Sequence, residues 1–157
     1  MLLTPHVLVG IAVASAVQDP VLAVPLAFAL HFAGDVVPHW DFYSHTDKEQ
    51  RLRGWRPIAV MADMGLGIAI GSFFTLYALW VLRSPGTALT IFMCGIASVL
   101  PDALEAPYVF MNKQPWVTKL MYSIQHRLQF QAPLPWGIIS QIIVCGFSLS
   151  AIANLLK

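Results

Sequence analysis

The chain has 157 residues, of which 57% are hydrophobic and only 11% charged, and its mean hydropathy is +0.68. That is far more apolar than an ordinary soluble domain and describes an integral membrane protein. A formal net charge of +1 leaves no global basic surface for nucleic acid.

Met1 to Val17 is apolar from its start, lacks a basic leading region, and runs through Gln18-Asp19-Pro20 into a second apolar run. It is therefore expected to be part of the structure rather than a signal peptide. Prolines punctuate the whole chain. Pro5, Pro20, Pro57, Pro85, Pro115 and Pro133 or Pro135 each open a segment, with Thr4, Asp19 and Ser84 before three of them as N-caps. The pattern predicts six helices, roughly 5–17, 20–37, 57–82, 85–105, 115–130 and 135–156. Pro38 and Pro107 are expected at helix ends, and Pro25 and Pro101 at places where a bundle tolerates a tilt or kink.

At about 1.5 Å per residue, the third and sixth segments are long enough for a hydrocarbon core of about 30 Å. The first, second and fourth are marginal, and the opening pair reads as a short helical hairpin, tilted in a locally thinned bilayer. The fifth, with Trp116, Lys119, Tyr122, His126 and Arg127 among its apolar residues, is too polar to span and reads as interfacial. Gly67 and Gly71 form a small-xxx-small pair that permits close helix contact. Cys94 and Cys145 lie in apolar runs without CxxC spacing and read as small core residues in reduced surroundings. The expected fold is one all-α domain over residues 1–157, an integral membrane bundle of about five embedded helices plus one interfacial helix.

Charge asymmetry orients it. With an odd number of spans, the amino terminus, the loop from Trp40 to Arg56 and the segment from Pro107 to Gln131 share one side, which holds Lys48, Arg51, Arg53, Arg56, Lys113, Lys119 and Arg127. The other side holds Arg83 and Lys157. The positive-inside rule puts the first side in the cytoplasm, with the carboxy terminus outside, as for a protein of a bacterial inner membrane.

The same topology gathers the chemistry. His31 and Asp35 stand four residues apart, on one helical face, and His39 and Asp41 come just past Pro38. His6 opens the first helix, Asp63 lies about two turns into the third, Asp102 and Glu105 close the fourth, and His126 lies on the interfacial segment. Imidazole nitrogens and carboxylate oxygens suit zinc and similar divalent ions, so His6, His31, Asp35, His39, Asp102 and His126 are candidate ligands. Ionisable residues at membrane depth are costly and are functional candidates by default.

Each residue also has a plainer reading. His31 and Asp35 can be a mutually satisfied hydrogen-bonded pair, Asp63 can pair with Arg56, and Asp102 with Glu105 can be a wetted helix end. His6 can be a helix-start residue without a role, His45 a solvated loop residue, and His126 with Arg127 a lipid-phosphate contact.

The Thr-Pro-His at residues 4 to 6, the run His31, Asp35, Pro38, His39 and Asp41, then Asp63, Leu100-Pro101-Asp102 and His126-Arg127 succeed one another over most of the chain. In this order they resemble small bacterial membrane proteins of the membrane-bound metal-dependent hydrolase type, the LexA-regulated hydrolases and their relatives. The second-helix run is also similar to the His-xxx-Asp element of all-helical zinc-dependent phospholipases C and single-strand zinc nucleases. The resemblance implies a helical fold whose ends supply zinc ions that cleave phosphodiesters, with His31, Asp35, Asp102 and His126 as the carried-over positions. Where the hydrolase type has a second histidine shortly after its His-Arg, this chain has Leu128-Gln129-Phe130-Gln131.

A bound zinc ion lowers the pKa of its water to about 7, giving a hydroxide that attacks a phosphoryl or carbonyl centre. Asp63 or Glu105 would serve as general base, and Arg127 would hold a phosphate in fork geometry. The leading expectation is thus a zinc-dependent membrane hydrolase of a phosphoester or lipid headgroup at the cytoplasmic interface. A divalent-cation carrier would need polar access from both sides, and the outer half offers little beyond Ser72, Thr75, Thr90, Ser148 and Ser150. A small membrane scaffold would hold no metal.

Overall fold

A computed structural model describes residues 1–43, 46, 48–110 and 115–156, with residues 48, 109 and 110 described by backbone alone. His45, Lys113 and Lys157 lie outside the described residues. Among the described residues there are seven helices and no strand: α1 Leu3–Ala16, α2 Pro20–Val36, α3 Lys48–Arg51, α4 Arg56–Trp80, α5 Pro85–Phe110, α6 Trp116–Leu128 and α7 Trp136–Leu155.

Local chemistry explains most of the helix starts. Pro20 and Pro57 occupy the first turns of α2 and α4, where a missing N–H costs nothing. Asp19 caps α2 by accepting from the Val21 N–H at 2.9 Å, and Ser84 accepts from the Thr87 N–H at 3.4 Å at the start of α5. Thr4 departs from the expected pattern. It lies inside α1, which begins at Leu3 and has no side-chain cap from its own N-cap residue. A carboxylate from another helix does the capping instead.

The fourth segment is also longer than expected. Pro101 and Pro107 both lie within α5, so Pro107 does not end it. A proline deletes one helical N–H, and here packing of α5 against α6 sustains the last turns, with the Tyr108 and Tyr122 rings 4.5 Å apart. As a result Pro85–Tyr108, rather than being marginal, joins Arg56–Trp80 and Trp136–Leu155 as a helix long and apolar enough to cross a membrane. The stretch between Trp40 and Arg56 contains the short helix α3.

The centre of the bundle is α1, which packs against α2, α4, α5 and α7. It is apolar all round, the pattern of a helix buried on every side, and Val7, Leu8, Ile11 and Ala14 join Ala23, Ala27, Ile91 and Cys94 in the core. Glycines bring its neighbours close. A Cβ on Gly10 would lie 2.7 Å from the Cys94 carbonyl oxygen of α5, and one on Gly67 of α4 would lie 2.7 Å from Leu3 Cδ2. The Gly67 and Gly71 pair thus faces α1 through Leu3 and Val7.

By contrast, α4 leaves Ile58, Met61, Ile68, Phe73 and Trp80 exposed. The start of α1, the ends of α2 and α5, the start of α7 and α6 meet at one end of the bundle. They are joined there by hydrogen bonds from Leu2 N to Gln141, from Leu3 N to Asp63, and from Gln125 to Asp102.

Candidate metal centre

The i, i+4 spacing on the last turns of α2 sends His31 and Asp35 into the bundle, where both are buried, and His31 Nε2 lies 3.4 Å from Asp35 Oδ2. Between them along the helix stands Gly34. A Cβ there would be 3.2 Å from His6 Cε1, so the glycine gives the His6 ring of α1 its place against α2. The two imidazoles stack with centroids 4.0 Å apart. From α5, Asp102 Oδ1 reaches to 3.5 Å from His31 Nε2. His6, His31 and Asp102 each offer a ligand atom within 4.8 Å of the others, from three different helices.

The hydrogen bonds set the ligand chemistry. His31 Nδ1 lies 2.8 Å from the Ser98 carbonyl oxygen. A carbonyl only accepts, so Nδ1 carries the proton and Nε2 presents a lone pair to the cluster, the arrangement by which second-shell carbonyls orient ligating histidines. His6 Nε2 is buried without a hydrogen bond, although Asp35 Oδ1 stands 3.3 Å away. Asp35 Oδ2 is likewise buried without one. Buried polar atoms left in this state are uncommon, and two of them beside a three-residue donor set fit a divalent ion.

The helix α6 enters this site one residue out of the expected register. Gln125, fully buried, donates from Nε2 both to His31 Nε2 at 2.9 Å, occupying the lone pair that an ion would take, and to Asp102 Oδ1 at 3.0 Å. His126, about 100° further round α6, is exposed and stacks on the Tyr122 ring at 5.5 Å. Arg127 is exposed too. Neither belongs to the cluster, and the residue that does had no metal-ligand signature to single it out. The only signal was a lone amide in the same amphipathic helix.

The other candidates divide. Asp35 Oδ1 also accepts from the Met1 amino group at 2.6 Å. The carboxylate of Asp63 accepts from the backbone N–H groups of Leu3 and Thr4 at 2.6 and 3.2 Å, and its own carbonyl takes the Thr4 hydroxyl. Asp63 is therefore the cap of α1. Arg56, the partner expected for it in the plainer reading, donates to the Phe42 carbonyl at 3.1 Å. Glu105, one turn beyond Asp102, lines a cleft beside the cluster.

His39 sits apart from the three-residue group. Its N–H and carbonyl are bonded to the chain around Gln131, forming an isolated bridge through Phe130 and Ala132. Its Nδ1 donates to the Val37 carbonyl at 2.8 Å, and its Nε2 is 4.0 Å from Asp41. Burial holds this imidazole below its usual pKa, and pushes that of the neighbouring loop residue Tyr43 up to about 12. Gly137 lets α7 close on this segment, since a Cβ there would stand 2.8 Å from the His39 carbonyl carbon. Gln141 ties the two together by donating to the Trp40 carbonyl at 2.7 Å while accepting from Leu2 N at 2.9 Å. No family model, curated protein or solved structure matches this chain.

Proposed function

We propose that the chain is a membrane-embedded, metal-dependent hydrolase acting on a phosphoester at the headgroup level of the bilayer. The observation that carries this reading is the approach of His6, His31 and Asp102 to within 4.8 Å of one another at helix ends flanked by spans apolar enough for a membrane. These three residues would hold the ion, zinc being the natural match for two imidazoles and a carboxylate, and three protein ligands are the number that catalytic zinc sites employ. When bound, the ion would supply a Lewis acid and a water ionised near neutrality.

The surrounding residues have separable tasks. Asp35, held by the Met1 amino group, puts its charge beside the Nε2 atoms of His6 and His31, and the Ser98 carbonyl fixes the His31 tautomer. Gln125 holds Asp102 in place. Glu105, on the cleft wall, is the base to take a proton from an attacking water. Arg127, exposed on α6, is placed to meet a lipid phosphate rather than to line the cluster.

In this reading α1 and α2 are embedded with α4, α5 and α7, and α6 lies in the interface. Its apolar side, Trp116, Leu120 and Ile124, is exposed, and Lys119 and Arg127 flank it. Arg51, Arg53, Arg56, Lys119 and Arg127 are at the cluster end and Arg83 is at the other, which supports a cytoplasmic site in a bacterial inner membrane. Against a carrier, the Thr75 and Thr90 hydroxyls bond back to Gly71 and Gly86 of their own helices and offer an ion no relay.

Elemental analysis of protein purified without chelator tests the proposal. At least one equivalent of zinc or a similar ion is expected, lost in His31→Ala and Asp102→Ala with the helical circular dichroism retained. Wild-type protein that is metal-free and resists loading would overturn it. The second reading, a polar lock that only joins helix ends, is favoured by the engagement of Asp35 with Met1 and of Asp63 with α1, and it predicts that metal-free outcome.

A further inference from the structure

We infer that the substrate is a membrane glycerolipid, one acyl chain of which lies in the cleft between α4 and α5. This rests on the hydrolase reading for the word substrate, but the lipid site stands on separate observations. The cleft has a volume of about 470 Å³ and is lined by α4 and α5 with the start of α1 as its floor, within the range of sites that hold small molecules.

Its polarity is graded along the helices. Asp41, Asp63, Asp102 and Glu105 are at one end, the end of the metal centre, and Asp102 belongs to both. From there the wall is apolar through Val99, Ile96, Phe92 and Ile91 of α5, and on α4 the hydroxyls of Ser72 and Thr75 alone interrupt it. The Thr75 hydroxyl is already bonded to Gly71. A ligand with a polar head and one long apolar tail fits such a wall, because it leaves no polar group of the tail to satisfy.

Length selects the source of the tail. From Asp102 to Ile91 is eleven residues of helix, about 16 Å at 1.5 Å each. A single leaflet is half of a hydrocarbon core of about 30 Å, or about 15 Å. The cleft thus runs from headgroup depth to the bilayer middle and stops where a chain of the same leaflet ends. It is also open sideways. Ile68 and Phe92, on its two walls, are 60% and 54% exposed, and both belong to helices long and apolar enough to span, so a lipid enters laterally without leaving the membrane.

The structure offers a clean way to block it. Gly95 lines the cleft, and a Cβ built on it meets nothing within 4 Å, so a side chain at this position points into open space rather than into the core. Gly95→Leu is expected to fill the cleft and leave the fold intact. Ser72→Phe, from an exposed position on the opposite wall, is the second variant should the first not fold.

Protein purified from membranes in a mild detergent is examined by native mass spectrometry and lipid extraction, with metal content measured on the same samples. The wild type is expected to carry one glycerolipid per chain, the folded variant to lose it, and the metal to be unchanged. No lipid on the wild type, or a lipid that survives in the folded variant, would overturn the inference. A lipid present and displaced on protein that never holds metal would sustain the lipid site and sink the hydrolase, so the two failures are told apart.

Discussion

Replacing Asp63 separates a structural carboxylate from a catalytic one. Its two oxygens accept from the N–H groups of Leu3 and Thr4, donors that α1 does not satisfy through a cap of its own. Loss of an N-cap acceptor costs about 0.5–2 kcal/mol, and hydrogen bonds to a charged group contribute about 1.5–3 kcal/mol each. The site is only partly buried, which argues for the lower part of that range, so Asp63→Ala should cost about 2–3 kcal/mol. For a chain of this size that is a fall in Tm of about 4–12 °C. Asp63→Asn keeps one carbonyl acceptor and should lose roughly half as much.

The assay is thermal unfolding of detergent-solubilised protein by circular dichroism, with metal content measured alongside. Arg56→Ala should lower Tm less than Asp63→Ala, because its guanidinium donates to the Phe42 carbonyl and not to Asp63 or α1. Two results would refute the capping argument: Asp63→Ala that sheds metal at unchanged Tm, or Arg56→Ala that does equal damage.

The placement of α6 and the charge pattern can each be tested as well. Gln125→Leu should weaken metal retention and lower Tm by removing the amide that holds Asp102 and faces His31, whereas His126→Ala should leave metal content unchanged; the reverse order in elemental analysis would mean that α6 is rotated by one residue. A reporter active only in the cytoplasm, fused after Ser44, after Lys113 and after Lys157, should be active at the first two sites and silent at the third. Opposite results at Ser44 and Lys113 would be incompatible with a centre shared by α2, α5 and α6.

What the sequence determined by itself is local in origin. Prolines with fixed φ and no N–H mark where helices start, and Asp19 and Ser84 cap as their spacing indicates. Long apolar runs bounded by prolines favour helices, which satisfy their backbone groups within one segment. His31 and Asp35 share a face because a helix repeats every 3.6 residues.

Contacts between helices decided the rest. Whether Gln125 or its neighbour His126 faces the centre is a rotation of about 100° per residue, and that phase is set by how α6 lies on α5 and α2, not by any motif within it. The α1 cap comes from Asp63, some 60 residues away, where no window around Thr4 contains it. The turns past Pro107 persist because α6 packs on them. The sequence names His6 as one of six candidate ligands, but only Gly34 and the stacked His31 bring it, and not His39 or His126, beside Asp102. Spacing along a chain fixes which residues of one helix can act together, but a site made from three helices exists only once packing has chosen their rotations and depths.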